Sequence, residues 1–177
     1  IMVDEGRRQT IGVKTGKLGR KHFEVTIRLQ GEVAFDETRL TDISMRFDGW
    51  IGDLKANFAG KSINKGDILF SVYSPELLSL QEEYLETLKR AGAGSTRADF
   101  RAASRKRLLL WGLNATQINW LEHQGKAQDY VPIFAPVDGV VIEKLIVSGS
   151  AFKKGERLLR LADLSSLWIE SYAYEQD

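Results

Sequence analysis

The spacing of hydrophobic positions changes character twice along the chain. Residues 23–29 alternate, with Phe23, Val25, Ile27 and Leu29 on one side and Glu24, Thr26 and Arg28 on the other, which predicts a half-buried strand ended by Gly31. The glycine-bounded stretch Ile11–Lys17 predicts a second short strand. From 40 to 73, and again from 130 to 163, brief apolar runs are punctuated by Asp-Gly, Gly and Lys-Gly. Between them, from Ser74 to Gln124, the period becomes helical. Ser74 is a natural N-cap, Pro75 suits the first helical position, and Leu77, Leu80, Tyr84, Leu85 and Leu88 follow at three- and four-residue spacing. Gly92 supplies the stop. A second helix is predicted from about Thr96 to Trp111, capped by Ser95 and closed by Gly112. Asn114 with Gln117 makes a capping-box start for a third, short helix that Gly125 ends. The first two helices form an antiparallel hairpin, which the third either extends or folds back onto.

The two punctuated stretches are copies of one another. Asp48-Gly49, Gly60, Lys65-Gly66 and Leu69 recur in order as Asp138-Gly139, Gly149, Lys154-Gly155 and Leu158, with one indel before the second glycine. Each copy is too short to enclose a core, so the two are expected to pack together as a small β-sandwich. The helices are then an insertion between the halves of one domain.

Composition narrows the function classes. The chain has 177 residues, 25 Lys+Arg against 24 Asp+Glu, and a net charge of +1, so it has no global field for nucleic acid or anionic lipid. It has no cysteine, which excludes disulfides, a thiolate zinc site and a cysteine nucleophile together. No dinucleotide fingerprint, phosphate loop or Ser/His/Asp pattern is present, no cofactor is expected, and the chain reads as a non-enzyme. It begins with Ile1 and its last apolar run lacks a closing turn, so a piece of a longer protein is expected, with any signal peptide in the missing part.

A duplicated half-motif of this kind resembles the biotinyl/lipoyl domain. Split by a helical hairpin, it resembles the periplasmic adaptor, or membrane fusion protein, of tripartite efflux pumps. The segments Tyr73–Leu85, Ala135–Val141 and Ala162–Glu170 are similar to the heavy-metal branch of that family, the copper and silver efflux adaptors in particular. The resemblance implies an α+β fold: a split lipoyl-like β-sandwich with two or three inserted helices, plus strands of an incomplete β-barrel with an exposed edge. The expected divisions are 1–37 for N-terminal strands, 38–73 for the first lipoyl-like half, 74–128 for the helical hairpin, 129–163 for the second half, and 164–177 for the start of a barrel return strand. A true biotinyl or lipoyl carrier is the remote alternative. It would need a modifiable Lys at the turn between the halves, and none lies between Lys65 and Lys89.

The implied role is to link an inner-membrane RND-type transporter to an outer-membrane channel, in the periplasm and associated with the inner membrane, with copies assembled into a ring. Drug efflux or protein secretion is the alternative cargo. A metal cation is a further partner to consider, but Met2, Met45 and His22 are only weak ligand candidates, with no pair at ligand spacing. At the hairpin tip, Arg90, Ser95, Arg97 and Arg101 are the candidates for partner contact. Arg97, Arg101 and Arg105 share one helix face, read as a solvated face with inter-helix ion pairs, or as a docking stripe for the channel. Nucleic acid is excluded as a partner, because Glu76, Glu82, Glu83 and Glu86 of the first helix balance these cations.

Overall fold

The structure, a computed structural model, describes residues 16–24, 26–90 and 95–173, with the side chains of 90 and 95–98 left aside. It divides into two units, residues 1–31 with 171–177, and residues 32–170. In the first unit, residues 16–24 and 26–30 form no helix or strand. The expected strand at Ile11–Lys17 lies outside the described residues except for Gly16 and Lys17.

Among the described residues of 23–29, none folds as the expected strand, and Phe23, Ile27 and Leu29 are exposed. Alternation says only which side chains share a face; a strand exists when its N–H and C=O groups find a neighbour. Pairing begins instead at the glycine expected to end it. Strand β1 (Gly31–Phe35) joins β10 (Leu167–Ser171) in a two-stranded ribbon.

The second unit carries the repeat. One four-stranded sheet has the order β2 (Leu40–Ser44), β9 (Arg157–Ala162), β7 (Gly139–Lys144), β4 (Ser62–Ile63). The other has the order β6 (Tyr130–Phe134), β5 (Ile68–Tyr73), β3 (Gly49–Leu54), β8 (Ala151–Phe152). Every pairing in both sheets is antiparallel. Each sheet takes two strands from each copy, so neither copy completes a sheet alone.

The copies also brace one another at their turns. The Asp48 carboxylate accepts the Lys154 N–H at 2.7 Å, and the Asp138 carboxylate accepts the Lys65 N–H at 2.7 Å. Gly155 N donates to Met45 O and Gly66 N to Ala135 O, both at 2.9 Å. These two turns require glycine, since Gly66 and Gly155 sit at φ +91 and +79. Gly49 and Gly139 answer a different need, because the neighbouring strand comes too close for a side chain. A Cβ at Gly139 would lie 2.7 Å from the Ala162 carbonyl oxygen, and one at Gly49 would meet that of Tyr73.

The insertion leaves from β5 and returns into β6, adjacent strands whose ends meet at Tyr73 and Tyr130. Three helices fill it: α1 (Pro75–Arg90), α2 (Ser95–Leu110) and α3 (Ala115–Gln124). The predicted capping signals operate at both described starts. The Ser74 hydroxyl faces Leu77 N at 3.4 Å, and Asn114 and Gln117 cap each other at 2.8 Å in both directions. Gly125 closes α3 in the left-handed region, at φ 64. The third helix folds back, packing against both others.

The reciprocal caps yield a test. Asp48→Ala should speed hydrogen exchange at the Lys154 amide, 106 residues away, and leave the Lys65 amide unchanged; Asp138→Ala should do the reverse. Each should cost about 1 kcal/mol in a denaturant melt.

Candidate functional site: the helical bundle and its seat on the sandwich

The bundle is held by one apolar seam and one polar network. Leu77, Leu80, Tyr84 and Leu85 of α1, Leu108 of α2, and Ile118 and Leu121 of α3 are buried and continuous with the sandwich core. Helix α2 is attached sparingly. Leu108 is its one buried position among the side chains described, while Phe100, Leu109 and Leu110 are exposed.

The polar network centres on Glu122 of α3. Its carboxylate accepts the Tyr84 hydroxyl at 2.5 Å, pairs with Arg105 at 2.8 Å and with Arg101 at 3.1 Å. Arg105 also donates to the Asn119 side chain at 2.8 Å. Burial pushes the Glu122 carboxyl up, but the Tyr84 hydroxyl and the two guanidinium groups outweigh it and hold the group below its usual value. Burial, and then Glu122, push the Tyr84 phenol above its usual value, so it remains a donor at neutral pH. A single carboxylate on α3 thus ties α1 to α2.

The predicted arginine stripe is in part this network. Arg101 and Arg105 pair as expected, but with Glu122 rather than with the glutamates of α1; Arg107 makes the α1 pair, reaching Glu83 at 2.9 Å. Glu122 was missed because its role depends on α3 folding back, which helical spacing leaves open. Its place beside buried Leu121 was the signal that could have found it.

Two polar clamps and an aromatic stack seat the bundle on the sandwich, and a further clamp ties α1 to the segment that returns to β6. The buried Gln81 amide donates to Gln128 O and accepts from Gln128 N, both at 3.1 Å. Gln117, besides capping α3, donates to Pro132 O at 2.7 Å. Arg46 donates to Leu110 O, the last carbonyl of α2, at 2.6 Å. Phe47 stacks on Trp111 with centroids 5.9 Å apart and touches Phe152 at 6.1 Å, bridging bundle and sandwich. A cleft of about 690 Å³ opens beside this seat, walled by Trp120, Pro132, Ile133, Phe134 and Pro136.

The remaining candidates are dispersed. Arg90 ends α1, while Ser95 opens α2 and Arg97 lies in its first turn, so all three flank the 91–94 connection. Met2 lies outside the described residues. His22 is exposed in the first unit. Met45 packs against the core in a second cleft, beside Arg46 and Trp111, an apolar setting with a cation rather than a ligand set. Among the described residues, no group of three or more His, Cys, Asp or Glu could hold a metal ion. Nor is any described helix long and apolar enough to cross a membrane.

Residues 76–129 match the family model of the CusB three alpha-helical bundle domain. SilB of Salmonella typhimurium, which bears the name membrane fusion protein, is 26% identical over 179 residues, covering 98% of this chain and 41% of SilB. The cobalt-zinc-cadmium resistance protein CzcB of Cupriavidus metallidurans is 25% identical over 186 residues, covering 94% of this chain and 36% of CzcB. The chain therefore spans about two fifths of the curated relatives it matches. The crystal structure of ZneB from Cupriavidus metallidurans shares the fold, with a TM-score of 0.54 at 16% identity over 83% of this chain and 70% of that one.

The network and the seam predict distinct losses. Glu122→Gln should cost about 1–3 kcal/mol at neutral pH, by weakening three contacts at once. Because the folded carboxyl titrates below its unfolded value near 4.5, its stabilisation is complete above that pH and lost as pH falls through the lower folded value. Chemical melts from pH 7 to 3 should therefore show a shallower acid limb in the variant than in the wild type. Leu108→Ala should cost about 2–5 kcal/mol and loosen α2, whereas Leu109→Ala on the exposed side should cost under about 0.5 kcal/mol.

Proposed function

We propose that this relative of the heavy-metal membrane fusion proteins is the sandwich-and-bundle portion of a periplasmic adaptor. It would link an inner-membrane RND-type transporter to an outer-membrane channel for the efflux of heavy-metal cations. The observation that carries the reading is the bundle at 76–129, of the CusB type, spliced between adjacent strands of a duplicated sandwich.

The geometry suits a load-bearing role. The bundle shares a core with the sandwich and is clamped to it through Gln117 and Arg46, so a displacement at its far end is passed to the sandwich as a whole. The chain's contribution in this reading is mechanical rather than catalytic. Several copies would stand side by side as a ring in the periplasm, held at the inner membrane by the transporter. At the bundle's far end, Arg90, Ser95 and Arg97 are the residues offered to the channel, while Arg101 is already engaged with Glu122. The name of CzcB gives cobalt, zinc and cadmium, which supports heavy-metal cations as the cargo class. Met2, Met45 and His22 remain single residues that would need ligands from elsewhere to hold such an ion.

Deleting the gene from its host should sensitise the cells to one or more of copper, silver, zinc, cobalt and cadmium in growth assays, with complementation by the full-length gene. Sensitivity to dyes or antibiotics with no metal phenotype would instead assign the adaptor to drug efflux and overturn the metal reading.

A further inference from the structure

At the end of the sandwich away from the helices, two short segments connect it to the β1/β10 ribbon. One is Asp36–Arg39, leading from β1 into β2; the other is 163–166, leading from β9 into β10. None of these residues belongs to the buried apolar core, so side-chain packing does not set the angle between ribbon and sandwich. Polar bonds do. Asp36 accepts from Thr38 N at 3.0 Å and from the Thr38 hydroxyl at 2.6 Å, tightening the first segment into a single 3₁₀ turn. Asp163 accepts from Ser165 N at 2.9 Å and tightens the second in the same way.

One side chain joins the two turns. Arg39 donates through Nη1 to Asp163 Oδ2 at 2.9 Å and to the Ser165 hydroxyl at 2.5 Å, while its Nε lies 3.5 Å from Asp36 Oδ2. The backbone adds a bond from Asp163 N to Arg39 O at 3.3 Å. Ser165 first, and then Arg39, hold the Asp163 carboxyl below its usual value, so it is charged at neutral pH. A guanidinium can bridge both turns because its donors diverge in a fixed plane, which a lysine ammonium cannot reproduce.

We propose that Arg39 is a latch across a two-segment hinge, holding the β1/β10 ribbon at one angle to the sandwich, and that its release lets the ribbon swing about residues 36–39 and 163–166. Exposed ion pairs are individually weak and screened by salt. The Arg39–Asp163 half of the latch is such a pair, whereas Asp36 is buried and keeps its own turn, so the two segments can part without unfolding either body. The hinge is a property of this chain whatever proteins it works with, and its test is independent of the efflux phenotype.

The absence of cysteine from the sequence makes the measurement direct. Spin labels at Val33→Cys on the ribbon and Val147→Cys on the sandwich, both exposed positions, report the angle as a distance distribution. The full chain should give one narrow distance peak, lost in Arg39→Ala and in Asp163→Ala and partly broadened in Arg39→Lys. Arg160→Ala is the control. It breaks an exposed two-bond pair with Asp42, at 2.6 and 2.9 Å, inside the sandwich sheet and outside both hinge segments, and should keep the narrow peak. A folded Arg39→Ala protein that keeps the narrow peak overturns the latch. So does equal broadening in Arg160→Ala, or a wild-type distribution that is already broad. If Arg39→Ala fails to fold by circular dichroism, Arg39→Lys decides by the same criterion.

Discussion

Each half of the sandwich is capped by the other. Asp48 and Asp138 close turns that belong to the opposite copy, and in each sheet two central strands of one copy are flanked by strands of the other. No stable intermediate with one half folded is available to such a chain, since a lone copy would leave unpaired edges and uncapped turns. The two copies must meet, and the helical insertion must bring its ends back to within one strand spacing at Tyr73 and Tyr130. An antiparallel helical bundle does this at low entropic cost, because loop closure grows slowly with length and an ordered insert grows it less still. The reciprocal bracing thus dictates where the bundle stands.

The two ends of the sandwich are joined to their neighbours by different physics. Towards the bundle, the junction is a continuation of the core: Phe47 stacks on Trp111, Leu77 lies in the shared cluster, and the Gln81 amide satisfies both backbone groups of Gln128. Such a joint resists bending because every displacement opens a void or strands a buried polar group. Towards the ribbon, none of the junction residues joins the apolar core, and Arg39 with its carboxylates spans the two segments. A stiff joint at one end and a polar joint at the other give a lever with a defined pivot.

Within the bundle, the partly buried Glu122 does what a hydrophobic residue could not. It fixes α2, a helix with one described buried side chain, by direction rather than by area. The Tyr84 hydroxyl and two guanidinium groups offset the cost of burying its charge, which keeps the carboxylate ionised. The outer side of α2 is consequently left free, with Phe100, Leu109 and Leu110 uncovered.

Much of this was legible in the residues themselves. The repeat of Asp-Gly, Gly and Lys-Gly determined the duplicated sandwich, because glycine is demanded by positive φ at Gly66 and Gly155 and by close backbone approach at Gly49 and Gly139. Capping chemistry at Ser74, Asn114, Gln117 and Gly125 determined the helix ends, because local hydrogen bonds are written into local sequence. Three features were decided only in three dimensions. Helix α3 folds back and gives Arg101 and Arg105 their partner; the described residues of 23–29 find no strand neighbour, while 31–35 do; and Arg39 reaches Asp163, 124 residues away. Each depends on which distant backbone or charge lies opposite, and a one-dimensional pattern carries the face of an element but not its neighbour.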